Sequence, residues 1–179
     1  LFVAVTVLVV TGVAQPFDEW IIRSVRPHDV WGEPQVRLSP WVHRLRPALM
    51  LVLLAGACVA ASVRRRSWRP AVLGLVLGCA STGLLLLVKV VVGRPDPHGA
   101  LAVSGGSYPS GHMMAVLVCL GGCLLVLGPG LRWCWWWVPI AAAGLMATAL
   151  VVTATHWPSD VVGGALLGLA TLMAAGWGS

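Results

Sequence analysis

Two histidines stand in short polar islands at the mouths of apolar helices, and imidazole can act near neutral pH as nucleophile or as acid. One island is Tyr108-Pro109-Ser110-Gly111-His112. The other is His156-Trp157-Pro158-Ser159-Asp160. Each lies beside an expected helix start, where free backbone N–H groups and the positive end of the helix dipole favour an anion. The pair points to chemistry on an anionic group at a membrane surface.

In the first island Ser110 is a good N-cap, so a helix is expected from Gly111. His112, in its first turn, is placed to protonate a leaving oxygen. The ordinary alternative is a capping serine followed by a histidine at the lipid interface. In the second island His156 and Asp160 are four apart and share a helix face if the helix starts that early. A carboxylate on one ring nitrogen fixes the tautomer and frees the other to attack. The ordinary alternative is an acid that only complements the helix dipole. Lys89 is the third element. It is the single lysine among twelve cations and lies in Leu84-Leu85-Leu86-Leu87-Val88-Lys89-Val90-Val91-Val92. A charge inside a span is costly and marks function by default, unless it snorkels to the interface.

The elements that must position these groups follow from composition. The 179 residues are 58% hydrophobic and 10% charged, with mean hydropathy +0.87. A soluble domain is nearer 25% charged. The expectation is an all-α membrane protein, a single domain over 1–179, folded as a bundle of about six spans. The chain opens in an apolar run, Leu1 to Val13, expected to be a first span whose cytoplasmic start is trimmed or not covered, with a signal peptide as the alternative. The stretch from Gln15 to Arg46 carries four prolines, with a fifth at Pro47, and Trp20, Trp31 and Trp41, and suggests an interfacial segment between helices one and two. Further spans are expected over about 47–63, 70–92, from 111 to Gly128-Pro129-Gly130, to about Thr155, and from Pro158 to Trp177. Trp133, Trp135, Trp136 and Trp137 read as an interfacial belt.

Net charge is +6, but Arg64, Arg65, Arg66 and Arg69 crowd one loop. That marks a cytoplasmic loop, not a nucleic-acid patch, so the expected partners are membrane lipids and no nucleic acid. Arg132 marks a second such loop two spans later. Counting sides then puts both histidine islands on the same, outer face. Cys58, Cys79, Cys119, Cys123 and Cys134 read as small buried hydrophobes, with no disulfide and no metal site. Gly164 and Gly168 form a small-xxx-small pair that suggests helix packing and no function.

Three ordered stretches resemble the type 2 phosphatidic acid phosphatase family, membrane relatives of the vanadium haloperoxidases. Its motifs are K-x6-R-P, P-S-G-H and S-R-x5-H-x3-D. Here they read Lys89-VVVGRP-Asp96-Pro97, Pro109-Ser110-Gly111-His112 and Ala149-Leu150-VVTAT-His156-WPS-Asp160. The resemblance implies that His156 attacks phosphorus, Asp160 orients it, and His112 protonates the leaving group and then activates water. It implies that Lys89, with Ser110 and Gly111, holds the phosphate oxygens, with no cofactor and no metal. Two positions depart from the pattern. The first-motif arginine falls on Asp96, and the third-motif arginine falls on Leu150. Such arginines clamp the phosphate, a contribution of several kcal/mol. Arg94, two places earlier, is the candidate to reach the phosphate instead. Asp96 is expected to repel a phosphate unless it is turned away or paired with Arg94. No arginine follows Arg132 to replace the second.

The family's usual substrates are isoprenyl diphosphates, phosphatidic acid and phosphatidylglycerol phosphate, and a prenyl carrier is the preferred expectation. The expected protein is a multi-pass cell-membrane lipid phosphatase with its site on the extracytoplasmic side. Two rivals remain open at this point. One is phosphoryl transfer to a lipid or sugar acceptor. The other is a non-catalytic membrane protein that binds a phospholipid. Sequence leaves the oligomeric state undetermined.

Overall fold

A computed structural model of the chain describes residues 1–101, 105–127 and 133–176, and these form eight α-helices with no β-strand. In chain order they are α1 (Phe2–Val10), α2 (Gln15–Val25), α3 (Glu33–Arg44), α4 (Pro47–Arg65), α5 (Arg69–Val92), α6 (Gly111–Leu127), α7 (Trp137–Val152) and α8 (Pro158–Gly176). Short 3-10 turns occupy Pro27–Asp29 and Trp133–Trp136.

Prolines set several starts. Pro47 and Pro70 lie in the first turns of α4 and α5, where their missing N–H groups cost nothing. Gly93 ends α5 in the left-handed conformation at φ +59°, and its N–H closes on the Lys89 carbonyl at 2.9 Å. With 24 residues, α5 rises about 36 Å, enough to cross a hydrocarbon core of about 30 Å. Four stretches are long and apolar enough to span: Pro47–Arg65, Arg69–Val92, Cys134–Val152 and Pro158–Gly176. The 17-residue α6 is apolar but slightly shorter. These five match the expected second to sixth spans closely. The expected termination at Gly128-Pro129-Gly130, the Arg132 loop and the Trp177 end lie outside the described residues.

The expected first span is where the structure differs. α1 is nine residues long and rises only about 13 Å. Gly12 at φ +76° and Pro16 in the first turn of α2 break the run, and the two helices meet at 87°. The stretch read as an interfacial segment folds as α2 and α3, with Trp20 and Trp31 exposed.

The core is centred on α6, which packs on α4, α5, α7 and α8. Its buried residues run from Met113 and Met114 through Val116, Val118 and Cys119 to Cys123 and Val126, covering most of its circumference, as an all-round hydrophobic helix requires. By contrast α5 exposes Leu75, Val76, Leu87, Val90 and Val91. Cys58, Cys119 and Cys123 are buried and Cys79 and Cys134 exposed, all as free thiols. At one end of the bundle Arg64 donates to the Leu127 carbonyl at 2.9 Å, which joins the arginine-rich loop to the end of α6. The opposite end carries the loop residues 93–101 and 105–110, the 153–157 turn and α2.

Candidate active site

The Pro-Ser-Gly-His island folds as its sequence suggests. The Ser110 hydroxyl accepts the Met113 N–H at 3.4 Å and caps α6. The Ser110 N–H donates to the Asp160 carbonyl at 2.9 Å, fastening the start of α6 to the first turn of α8. Gly164 makes that contact possible, since a Cβ there would lie 2.4 Å from the Ser110 carbonyl oxygen. The fully buried Tyr108 stacks on Phe2 at 6.3 Å between ring centroids, and its hydroxyl bonds Thr6 at 2.8 Å. Burial pushes the Tyr108 phenol above its ordinary range, so it keeps its proton.

The second island is built differently from the expectation. α8 starts at Pro158, so His156 precedes the helix and lies in a turn whose Thr155 and His156 N–H groups both reach the Leu150 carbonyl, at 3.0 and 3.4 Å. Asp160, fully buried in the first turn, reaches back instead. Its Oδ2 accepts the Trp157 N–H at 3.2 Å and faces His156 Nδ1 at 3.5 Å. The carboxylate therefore meets the ring as a helix-start cap and not along a shared face. This leaves His156 Nε2 without a hydrogen-bond partner among the described residues. Leu150, at the place of a family arginine, is fully buried in the apolar core.

Lys89 does not snorkel. Its ammonium is buried and donates to the carbonyls of Gly106 at 2.6 Å and Ser107 at 3.4 Å. Arg94 takes a different place from the one expected. Its Nη1 donates to Asp160 Oδ1 at 2.8 Å and to Ser159 Oγ at 2.7 Å; its Nη2 donates to Asp18 Oδ2 at 2.7 Å and Gln15 Oε1 at 2.8 Å. Asp18 also accepts the Ser159 N–H at 2.9 Å and the Ser159 hydroxyl. Two fully buried carboxylates claim the guanidinium from both sides, so it faces away from open space.

A cavity of about 370 Å³ lies in front of this layer, and Lys89, Asp96, Ser107, Gly111, His112 and His156 are among its lining residues. The two imidazoles approach edge to face with centroids 6.2 Å apart. The N–H groups of Gly111 and His112 find no acceptor among the described residues, as expected of a helix start that awaits an anion. Of the sequence-derived site residues, Lys89, Gly111, His112 and His156 thus share one cavity. Ser110, Asp160 and Arg94 sit in the supporting layer behind it. Asp96 faces the cavity and is not paired with Arg94.

Sequence reasoning missed Asp18, Gln15 and Arg26. Arg26, buried at the end of α2, donates to the Thr153 carbonyl at 3.3 Å and pairs with Asp29 at 3.0 Å, bracing the turn before His156. None of the three carries a local signal. Each finds its partner across more than 60 residues or through a segment read only as interfacial.

The family now follows from sequence and fold together. The model of the PAP2 superfamily matches residues 69–177, more than half of the chain, and the chain belongs to that superfamily. Over 108 residues it is 33% identical to a lipid A 1-phosphatase of Porphyromonas gingivalis, covering 59% of this chain and 23% of that protein. The chain therefore spans less than a quarter of that relative's length. Its fold is similar to the crystal structure of a transmembrane PAP2 type phosphatidylglycerolphosphate phosphatase from Bacillus subtilis. The TM-score is 0.79 at 24% identity, with 97% of this chain and 90% of that one covered. It is thus a multi-pass, all-helical membrane protein of the PAP2 superfamily.

Proposed function

We propose that this chain is one membrane-embedded domain over residues 1–179 that hydrolyses a phosphate ester of a lipid at the extracytoplasmic face, through a phosphohistidine on His156. The observation that carries the reading is the convergence of His112, His156 and Lys89 on one cavity at a helix start. His156 Nε2 attacks phosphorus, and the bond to the lipid oxygen breaks as His112 supplies its proton. His112 then takes a proton from water, which cleaves the phosphorus–nitrogen bond and releases inorganic phosphate. Asp160 holds the Nδ1 side of His156 and stabilises the charge that develops there. Lys89 and the N–H groups of Gly111 and His112 receive the phosphate oxygens, with Ser110 fixing where that helix begins. The relatives named above are both phosphatases named for lipid phosphates, which supports the same class of substrate here.

The test is phosphate release by the purified chain in mixed detergent micelles across a panel of lipid phosphates, beside His156→Ala. Wild type is expected to exceed the variant at least a thousandfold on its best substrate. A protein label that carries phosphate and vanishes in His156→Ala would trap the intermediate. Equal release by the two proteins on every lipid would overturn the reading.

A further inference from the structure

The cavity holds a carboxylate where phosphate binding alone would call for a cation. Asp96 lines it together with Lys89, His112 and His156. The loop does not need the charge. Asp96 Oδ1 accepts the His98 and Ala100 N–H groups, each at 2.9 Å, and an asparagine oxygen would make both bonds. Its other oxygen accepts nothing from the described residues. Among the described residues Lys89 is the one lysine or arginine lining the cavity, and two of its three donors are already given to Gly106 and Ser107. Arg94 is held by Asp18 and Asp160.

We infer that Asp96 is a specificity residue that accepts hydroxyl or ammonium donors beside the reacting phosphate, so the site selects lipid phosphate monoesters with a donor-bearing polar headgroup over lipid diphosphates. This rests on the function proposed above. The physical basis is charge. One ammonium and one carboxylate leave the cavity lining nearly neutral before the histidines are counted. A monoester already brings about −1.5 to −2 at pH 7. The second phosphate of a diphosphate adds negative charge facing a like charge at short range. A neighbouring hydroxyl or ammonium turns the same carboxylate into a hydrogen-bond acceptor. The cavity has room for such a headgroup: at about 30 Å³ per water-sized group, 370 Å³ admits roughly a dozen such groups. That is a phosphate with a glycerol or part of a sugar ring.

The experiment compares kcat/KM on phosphatidylglycerol phosphate and a lipid-linked hexosamine 1-phosphate with phosphatidic acid and a polyprenyl diphosphate. Wild type should favour the first two by about tenfold or more. Asp96→Asn, which keeps the loop bonds, should shrink that preference to about threefold or less, and Asp96→Arg should invert it toward the diphosphate. A wild-type preference for the diphosphate, or an unchanged ratio in folded Asp96→Asn, overturns the inference while leaving the phosphatase reading intact. The wild-type ratio decides alone if the variants do not fold. No release on any of the four substrates overturns the phosphatase reading and this inference with it.

Discussion

The two sides of Asp160 differ sharply in how they use charge. In front, the cavity is sparse: one buried ammonium, one carboxylate and two imidazoles around about 370 Å³. Behind, Arg94 is bonded to Asp18, Asp160, Gln15 and Ser159 within a closed layer. The buried guanidinium of Arg94 is thus engaged by Asp160 and Asp18, and the ammonium of Lys89 is the cation that lines the cavity among the described residues. Positioning and electrostatic stabilisation, which one arginine clamp often combines, are here assigned to opposite sides of one carboxylate. That division predicts different signatures for mutations on the two sides.

The largest effect is expected behind. Arg94→Gln leaves two buried carboxylates without their cation, and breaking buried pairs of this kind costs about 3–5 kcal/mol. Thermal unfolding in detergent should register the loss. Adding Asp18→Asn removes one of the stranded charges, so the double variant should regain part of the stability. It should not regain turnover, because Asp160 still lacks its partner. Recovery of both together would mean that the layer is scaffolding only and would erase the contrast drawn here.

In front, Lys89→Met should act mainly on rate. Losing a preorganised charged donor costs about a hundred- to thousandfold in kcat. The ammonium also holds the Gly106 and Ser107 carbonyls, so some stability goes with it. A Lys89→Met variant that unfolds as readily as Arg94→Gln but turns over normally when folded would reverse the assignment of the two sides.

How much of this division was legible in sequence depends on the range of each interaction. Ser110 as a cap and the start of α6 at Gly111 follow from neighbours within a turn, and the structure agrees; for Lys89 the neighbours leave snorkelling open, and the bonds to Gly106 and Ser107 decide against it. The meeting of the two islands followed from counting spans, a coarse but global constraint. The partner of Arg94 was not legible. Sequence shows that a guanidinium beside an apolar helix needs an anion, but not whether protein or substrate provides it. Here the anions are Asp160, 66 residues away, and Asp18, 76 residues away on a helix whose composition suggests only an interfacial position. The geometry of His156 and Asp160 was half legible. Their spacing suggested contact, but Pro158 starts the helix too late for a shared face, and the acid reaches back as a cap.

A smaller effect should come from the seam where the two islands join. Gly164→Ala places a methyl group against the Ser110 carbonyl at 2.4 Å, and neither backbone can yield without moving the start of α6 from α8. Overpacking of this kind costs about 1–3 kcal/mol. It should also lower kcat more than it raises KM, because His112 and His156 ride on the two sides of the seam. An equal change in both parameters would say that the spacing of the imidazoles tolerates the shift.

The smallest effect tests whether the contrast extends to α1. Tyr108 is enclosed next to Ser110, yet its hydroxyl bonds only Thr6, on α1, among the described residues. Tyr108→Phe keeps the stacking on Phe2 and removes one hydrogen bond between groups that are at most partly wet, so the loss should be about 1 kcal/mol. Burial already keeps the phenol protonated, so no charge is lost with it. The hydroxyl belongs to neither side of Asp160, and turnover should therefore stay within about twofold of wild type, the scale of a few tenths of a kcal/mol. A drop of tenfold or more would show that α1 reaches the chemistry through Tyr108. The supporting layer would then have to be drawn to include the N-terminal helix as well as α2.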